Sequence, residues 1–158
     1  MSAVEFLARD YKFFASEDGQ SWTEIGGINT WKWTEDTELV DVTDFDDEGW
    51  KAELSAQKGA VLGLEGNRLR DPETGERDAG QAMVEVASRK FGFAGLLYFK
   101  VQTRDEIAGT PPVPFGTIVM RGTPKLNEAG GGAADKAPWG CEVSSYGKPT
   151  FTGEFAGE

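Results

Sequence analysis

The sequence contains no histidine and only one cysteine among its 158 residues. Without histidine the chain can form neither a Ser-His-Asp or Cys-His catalytic arrangement nor an imidazole metal site. The single cysteine, Cys141, excludes an intrachain disulfide, and we expect it to be a small buried hydrophobic residue in a strand. A carboxylate pair such as Glu35 and Glu53 would be an arbitrary choice among 27 acidic residues. The sequence therefore predicts a protein that is not an enzyme and needs no cofactor.

Long apolar runs and an excess of positive charge are absent as well. No segment approaches the roughly 20 apolar residues that cross a bilayer, and the first residues lack the apolar core of a signal peptide. We therefore expect a chain that is made in a cytoplasm and does not insert into a membrane. Lys and Arg number 16 against 27 Asp and Glu, which gives a net charge of −11. This balance argues against sequence-nonspecific binding of nucleic acid and favours repulsion between free copies.

The acidic residues are concentrated in a segment that also has a hydrophobic pattern. Eight carboxylates lie between Glu35 and Glu48, with no Lys or Arg among them. Acidic tails have nothing to bury and lack such a pattern. The apolar side chains of this region are Trp31, Trp33, Leu39, Val40, Val42, Phe45 and Trp50. The sequence predicts a strand over 28–43, a loop over about 44–50 and a returning strand over 51–65, which together form a long β-hairpin arm.

Short strands and turn residues account for most of the remaining sequence, which fits one domain spanning residues 1–158. The other predicted strands cover 4–14, 21–25, 94–103, 117–121 and 139–155, the last as a hairpin with its turn at 146–149. Asp78 as N-cap and Gln81 in a capping box predict one α-helix over about 78–91, which Gly92 can end. A glycine-rich segment over about 128–137 is predicted to be a flexible connection.

This pattern of elements predicts a mainly β fold with one helix. The strands indicate a β-sandwich or partly closed barrel of two packed antiparallel sheets, with the helix lying against a sheet. Trp31 and Trp33 share one face of a strand, and that face is either the core or a contact surface. We expect Trp50, at the end of the arm loop, to lie at an interface.

Two kinds of binding site could draw on these acidic and aromatic residues. Asp44, Asp46 and Asp47 lie close together, but their offsets differ from those of a calcium-binding loop and their flanks are strands, so no metal site is predicted. The five tryptophans could form a sugar-binding face, although most such residues are core or interface anchors. A monomeric β-sandwich binding module therefore remains an alternative.

Residues 41–50, Asp-Val-Thr-Asp-Phe-Asp-Asp-Glu-Gly-Trp, resemble the corresponding region of a known family. The family is the major tail proteins, or tail tube proteins, of long-tailed, siphovirus-type bacteriophages. Further segments follow in the order that this family shows: 51–58, 64–67, 71–75 and 78–82. The resemblance extends over roughly the whole chain and is densest between Gly26 and Gln81.

The resemblance implies a structural virion protein. Proteins of this family are small β-sandwich domains that form hexameric rings, and the rings stack into a hollow tube through which phage DNA is ejected without specific binding. The resemblance also implies the tape measure, tail terminator and distal tail proteins as partners. The protein would reside in the virion tail after assembly in the host bacterial cytoplasm. The alternative within this class is the tube of a phage-derived particle of bacteriocin or secretion type.

In this family the loop of the long hairpin contacts a neighbouring ring or subunit. The matching residues here are Asp44, Phe45, Asp46, Asp47, Glu48, Gly49 and Trp50. Four acids near the arm are candidates for facing the channel, where negative charge would repel DNA phosphates: Glu35, Asp36, Glu38 and Glu53. Strand alternation offers either Glu35 with Thr37 or Asp36 with Glu38, because a one-residue shift of register exchanges the two faces.

Overall fold

The computed structural model describes residues 11–44, 48–104, 106–109, 111–127 and 137–156. Its strands are β1 (Tyr11–Ser16), β2 (Thr23–Glu24), β3 (Ile28–Asp41), β4 (Glu53–Asn67), β5 (Leu97–Thr103), β6 (Glu106–Ile107), β7 (Val113–Pro114), β8 (Gly116–Leu126), β9 (Pro138–Ser145) and β10 (Thr150–Gly153). The helix α1 covers Ala79–Ser88, and 3₁₀ turns cover Gly92–Gly95 and Glu154–Ala156. The predicted mainly β fold with one α-helix is confirmed.

Eight strands form a single antiparallel sheet that folds over on itself. Their order is β2-β1-β5-β8-β9-β4-β3, with β10 also paired to β8, while β6 and β7 form a separate ribbon. The long strand β8 belongs to both halves of the sheet. Its first part pairs with β5 and β10, and its last part, Gly122–Leu126, pairs with β9. The two predicted layers are thus halves of one continuous sheet.

The change of partners along β8 occurs at Gly122. This residue lies opposite Leu97 of β5 on one side and Ser145 of β9 on the other. A Cβ atom placed at Gly122 would come within 2.5 Å of the Ser144 carbonyl oxygen. Only glycine lets the neighbouring backbone approach this closely, so this position fits the sheet where its two halves meet.

The core lies between the two halves of the sheet. Side chains alternate along β5, where Leu97, Phe99 and Val101 are buried. The ring of Trp31 on β3 packs 4.8 Å from that of Tyr11 on β1, measured between ring centroids. The buried residues of this core are Phe13, Ala15, Ile25, Leu62, Leu64, Val84, Ala87, Leu97, Phe99, Val101, Ile118, Met120, Trp139, Cys141 and Val143. Contacts such as Trp31 with Tyr11 join β3 to the opposite half and identify the tryptophan face of β3 as the core face.

The helix begins at its predicted N-cap but ends before the predicted residue. The Asp78 carboxylate accepts the Gln81 N–H at 3.1 Å and the Gly26 N–H at 3.2 Å. The Gln81 side chain does not complete a capping box, because it donates instead to the carbonyls of Gly26 and Asn67, each at 2.9 Å. These bonds anchor the helix to the connection between β2 and β3 and to the last residue of β4. Within the described ranges, no helix has the length and apolar character that crossing a membrane demands.

A buried carboxylate ties the helix to the loop after β4 and to the start of β9. Glu85 is 2% exposed, and its Oε1 atom accepts hydrogen bonds from Arg68 at 2.6 Å and from Trp139 Nε1 at 3.2 Å. Its Oε2 atom pairs with Arg77. A buried charge is tolerated only when it is paired and hydrogen-bonded in this way.

We expect stability to fall in acid partly through Glu85. Burial raises the pKa of this carboxyl, but hydrogen bonds from Arg77 and Arg68 outweigh burial and hold the pKa below its ordinary value of 4.5. Glu85 therefore stabilises the fold above the pKa of the unfolded chain, and the stabilisation is lost as the pH falls through the lower pKa of the folded state. Glu85→Gln should lower the free energy of unfolding by about 1–3 kcal/mol at neutral pH. Urea denaturation should show that the difference between the free energies of unfolding of the wild type and Glu85→Gln is smaller at acid pH than at neutral pH. A difference that does not depend on pH would contradict this role.

The predicted hairpin at the end of the chain is wrong. β9 and β10 run in the same direction along β8, with Ser145 opposite Gly122 and Thr150 opposite Val119. The loop 146–149 interrupts the pairing along this edge of β8 without reversing the direction of the chain. The Tyr146 N–H, at the start of the loop, still donates to the Arg121 carbonyl of β8 at 2.7 Å. Residues 4–10 of the predicted first strand and residues 128–136 of the predicted connection lie outside the described residues.

Candidate assembly surfaces

The hairpin of β3 and β4 extends beyond the rest of the sheet. β4 pairs with β9 only from Val61 onward, whereas its pairing with β3 continues to Glu53 opposite Asp41. The part of the hairpin over 35–59, called the arm below, is therefore a two-stranded ribbon. Its described residues are almost all exposed. Such a ribbon is marginally stable by itself, so its continuity with the sheet fixes its direction.

Side-chain bonds close the described part of the arm loop. The Thr43 hydroxyl accepts the Ala52 N–H at 2.8 Å and donates to the Ala52 carbonyl at 3.3 Å. The Asp41 carboxylate accepts the Thr43 N–H at 2.9 Å, and hydrogen bonds from the Thr43 side chain and backbone lower the pKa of Asp41. Glu48 and Gly49 both have left-handed backbone conformations, with φ of 51° and 86°. The two described ends of the arm loop therefore have a defined backbone conformation.

The predicted contact residues are placed only in part. Asp44, Glu48, Gly49 and Trp50 lie at the end of the arm, and Trp50 is 80% exposed. Phe45, Asp46 and Asp47 lie outside the described residues. The sequence indicated Trp50 and did not indicate how many apolar side chains of the ribbon would also be exposed.

Apolar side chains are exposed along both sides of the arm. Leu54 is 63% exposed and lies opposite Val40 in the ladder. The exposed apolar residues of the arm are Leu39, Val40, Val42, Trp50 and Leu54. Leu39 lies on one face of the ribbon and Val40 with Leu54 on the other, so the arm exposes apolar side chains on both faces, as a surface that contacts another chain does.

The ladder register decides which acids share a face. Trp31 and Trp33 lie opposite Leu64 and Leu62 on the core face of the hairpin. Because side chains alternate, Glu35 falls on the continuation of that core face, and Asp41 lies on the same side with Glu53 as its partner in the ladder.

Asp36 and Glu38 fall on the outer face, opposite Gly59 and Gln57. The structure therefore separates the four candidate acids into two pairs.

The outer face of β8, β9, β4 and β3 has more negative than positive groups. Lys32 lies on it next to Gly63, Glu142 on β9 pairs with the same glycine, and Lys125 on β8 pairs with Glu142. Glu65 lies there as well, opposite Thr30. Together with Asp36 and Glu38 these residues make four carboxylates and two amines, and the Arg121 guanidinium lies on the same face of β8. The outer face is thus a shallow, mildly acidic surface.

Two strand edges of this four-stranded part are unpaired within the described residues. β3 pairs with β4 on one side only. On β8 the ladder to β5 ends at Gly122, so residues 123–126 pair with β9 alone. Exposed edges are ready to pair with another chain.

A second exposed surface lies after α1 and was not predicted. Phe91 and Phe93 are 94% and 72% exposed, and the Phe93 ring meets the edge of Tyr146 with centroids 6.0 Å apart. The Arg121 guanidinium lies 5.4 Å from the Tyr98 centroid and 5.5 Å from that of Tyr146. We call these five residues, with the basic residues close to them in sequence, Arg89, Lys90 and Lys148, the aromatic–basic patch. In the sequence the patch begins with two basic residues followed by the phenylalanines that flank Gly92, a pattern that does not by itself indicate exposure.

The described residues offer little for catalysis or metal binding. Burial and the nearby Glu142 carboxylate raise the pKa of the Cys141 thiol to about 12, so this thiol is unreactive. Among the described residues no group of three or more Cys, Asp or Glu could hold a metal ion. Trp31 and Trp33 pack against the core, and Trp139 is buried in it. That placement removes three of the five tryptophans from any sugar-binding face.

Comparison with known proteins identifies the fold. No protein-family model and no curated protein matches the chain. A protein in the tail of an empty gene transfer agent particle, solved with C6 symmetry, is 19% identical with a TM-score of 0.62, and the match covers 94% of this chain and 99% of that one.

Two further structures resemble the chain along most of its length. A protein of the SPP1 tail tube is 13% identical with a TM-score of 0.67, and the match covers 96% of this chain and 81% of that one. A protein of the anti-feeding prophage baseplate is 12% identical with a TM-score of 0.60, and the match covers 96% and 98% of the two chains. The chain therefore has the fold that its sequence resemblance implied.

Proposed function

We propose that this chain is the subunit of a tail tube. Copies of it form six-membered rings, the rings stack, and the resulting tube of a phage tail conducts DNA during ejection. The observation that supports this most directly is the arm, a two-stranded extension whose apolar side chains are exposed in the single chain. The fold it shares with a C6-symmetric tail and with a tail tube supplies the symmetry.

The free edges of the sheet support closure into a ring. Strands β3, β4, β9 and β8 alternate in direction, so β3 of the next copy would lie antiparallel beside residues 123–126 of β8. Six such four-stranded segments would form one barrel. Symmetric closure would remove both edges, which in a monomer invite aggregation.

The outer face of these strands suits a channel wall for DNA. In such a barrel the core faces of the strands remain covered by the other half of the sheet, so the outer face lines the channel. Glu65 and Glu142 would then face the DNA, and Asp36 and Glu38 would continue the same face along the arm, beyond the four-stranded part, while Glu35 and Glu53 lie on the other face. A wall whose carboxylates balance its amines offers phosphate no cationic groove and lets DNA slide without binding.

The tape measure, tail terminator and distal tail proteins are the partners that this role requires. The assembled protein would reside in the virion tail after assembly in the host cytoplasm.

A phage-derived particle is the second candidate setting for the same tube. Proteins of a gene transfer agent and of an anti-feeding prophage share the fold as fully as the SPP1 protein does. Genes for a large terminase and a tape measure protein beside this gene would identify a phage. The monomeric binding module loses support, because three tryptophans that a glycan-binding face would use are core residues.

The purified protein should form rings or tubes. Negative-stain electron microscopy over a series of concentrations would reveal them, with light scattering as a measure of mass. A protein that stays monomeric at every concentration, and does not respond to other tail components, would overturn the proposal. Glycan binding by such a monomer would favour the binding module.

A further inference from the structure

We propose that the aromatic–basic patch is the site that receives the arm of the neighbouring copy in the same ring. The inference rests on the proposed function and specifies the surface through which two copies recognise each other. The arm and the patch are the two exposed surfaces of the described chain that are richest in large apolar side chains, and within one copy neither covers the other.

The patch is built to accept a negatively charged partner. Arg121 lies between the rings of Tyr98 and Tyr146, which hold its guanidinium in place. Its Nε atom is buried and has no hydrogen-bond partner within the described part of the chain. The side chain as a whole is half-buried, and a guanidinium that is already held in place binds carboxylates well through its exposed nitrogen atoms, because little side-chain entropy remains to be lost.

The charges of the two surfaces are opposite. The segments that carry the patch residues, 89–104, 117–127 and 143–153, contain no Asp or Glu, although the chain has 27 acidic residues. The region 35–53 contains nine carboxylates and a single lysine. In a chain with a net charge of −11, a basic patch lowers the repulsion that opposes self-association.

The apolar groups match as well. Val40 and Leu54 lie opposite each other on the face of the arm that also carries Asp36 and Glu38. Phe91 and Phe93 provide exposed rings against which such an aliphatic pair can pack. Aromatic anchors beside charged groups are the composition expected at the centre of a specific interface.

The patch is placed where the arm of a neighbour would pass. Leu97, the first residue of β5, lies opposite Gly122, and the turn Gly92–Gly95 directly precedes β5. The free edge of β8 begins immediately after Gly122. A neighbouring β3 paired with that edge would continue as its arm past the turn that carries Phe93.

A charge exchange tests this contact. The variant Arg89→Glu with Lys90→Glu should raise the concentration needed for assembly by about tenfold or more, because it replaces attraction between the patch and the acidic arm by repulsion. A tenfold change corresponds to about 1.4 kcal/mol. The control variant Lys12→Glu with Arg70→Glu makes the same change of charge outside the patch and should assemble like the wild type. Adding Asp36→Lys and Glu38→Lys to the patch variant should restore assembly. Circular dichroism of each monomer verifies its fold.

Crosslinking gives a second, independent measurement on the wild-type protein. A zero-length carbodiimide reagent applied to tubes of mixed ¹⁴N and ¹⁵N subunits should join Lys90 to Asp36 or Glu38 of a different copy. Normal assembly of the patch variant would overturn the inference. The inference would also be overturned if the combined variant did not recover assembly and this crosslink was absent. Failure of the wild type to assemble would instead overturn the proposed function, so the two failures are distinct.

Discussion

The variant Trp50→Ala with Leu54→Ala is expected to prevent tube formation while leaving the fold of the subunit intact. Both side chains are largely exposed in the single chain, at 80% and 63%, so their removal takes little from the core. Substitutions at such positions usually change stability by less than about 0.5 kcal/mol. In the tube the same side chains would be buried by another copy.

We expect the substitutions to reduce the binding free energy of the contacts between copies. An aromatic anchor at the centre of an interface contributes about 2–4 kcal/mol to binding. That range corresponds to about 30- to 1000-fold in the dissociation constant of each contact. Sedimentation of assembled material and electron microscopy would measure the effect over a concentration series.

A matched control uses exposed apolar residues outside the arm. Val86 on α1 and Val113 on β7 are each 55% exposed, and replacing both by alanine should leave assembly unchanged. Tubes formed by the Trp50→Ala and Leu54→Ala variant at the wild-type concentration would show that the described part of the arm makes no contact between copies.

Trp139→Ala is expected to lower the free energy of unfolding by about 3–5 kcal/mol, more than the loss of any surface side chain. Trp139 is 2% exposed, lies in the core and donates a hydrogen bond to Glu85. A natural domain is stable by only about 5–15 kcal/mol, so a loss of this size brings the chain close to unfolding.

Two variants separate the packing of Trp139 from its hydrogen bond. Trp139→Phe retains most of the apolar volume but loses the bond to Glu85, and should lose only about 1–2 kcal/mol. Trp50→Ala removes a side chain of the same kind from the surface and should be as stable as the wild type. Urea denaturation followed by far-ultraviolet circular dichroism compares all three. An unchanged midpoint for Trp139→Ala would contradict the assignment of this residue to the core.

Local signals in the sequence were sufficient for much of the fold. The Asp78 cap and the long hairpin depend on residues a few positions apart. The cap is at the predicted residue, and the paired strands of the hairpin end at Asp41 and begin again at Glu53, two residues from the predicted 43 and 51. The final hairpin was wrong because the turn signal at 146–149 is the same whether a strand reverses or is only interrupted. Pairing with β8, which is distant in sequence, decides between the two.

The candidate sites required tertiary information in the same way. Alternation allowed either Glu35 or Asp36 on the outer face, and contacts of Trp31 and Trp33 with the opposite half of the sheet settled the register. Phe91 and Phe93 gave no signal of exposure, because two phenylalanines beside a glycine are equally compatible with a core. Their position outside the folded sheet is a consequence of where α1 ends.

The long ladder between β3 and β4 also determines how the arm responds to tension. It runs from Ile28 opposite Gly66 to Asp41 opposite Glu53, with register shifts between Ile28 and Thr30 and between Glu38 and Leu39. A pull on the tip of the arm acts on both strands in the same direction, so the two backbones carry the load and the bonds between them are not peeled apart one by one. The connection of β4 to β9 passes this load into the body of the subunit. A two-stranded ribbon of this kind bends readily across its flat side yet resists stretching along its length, a property that would suit the contact between copies proposed above.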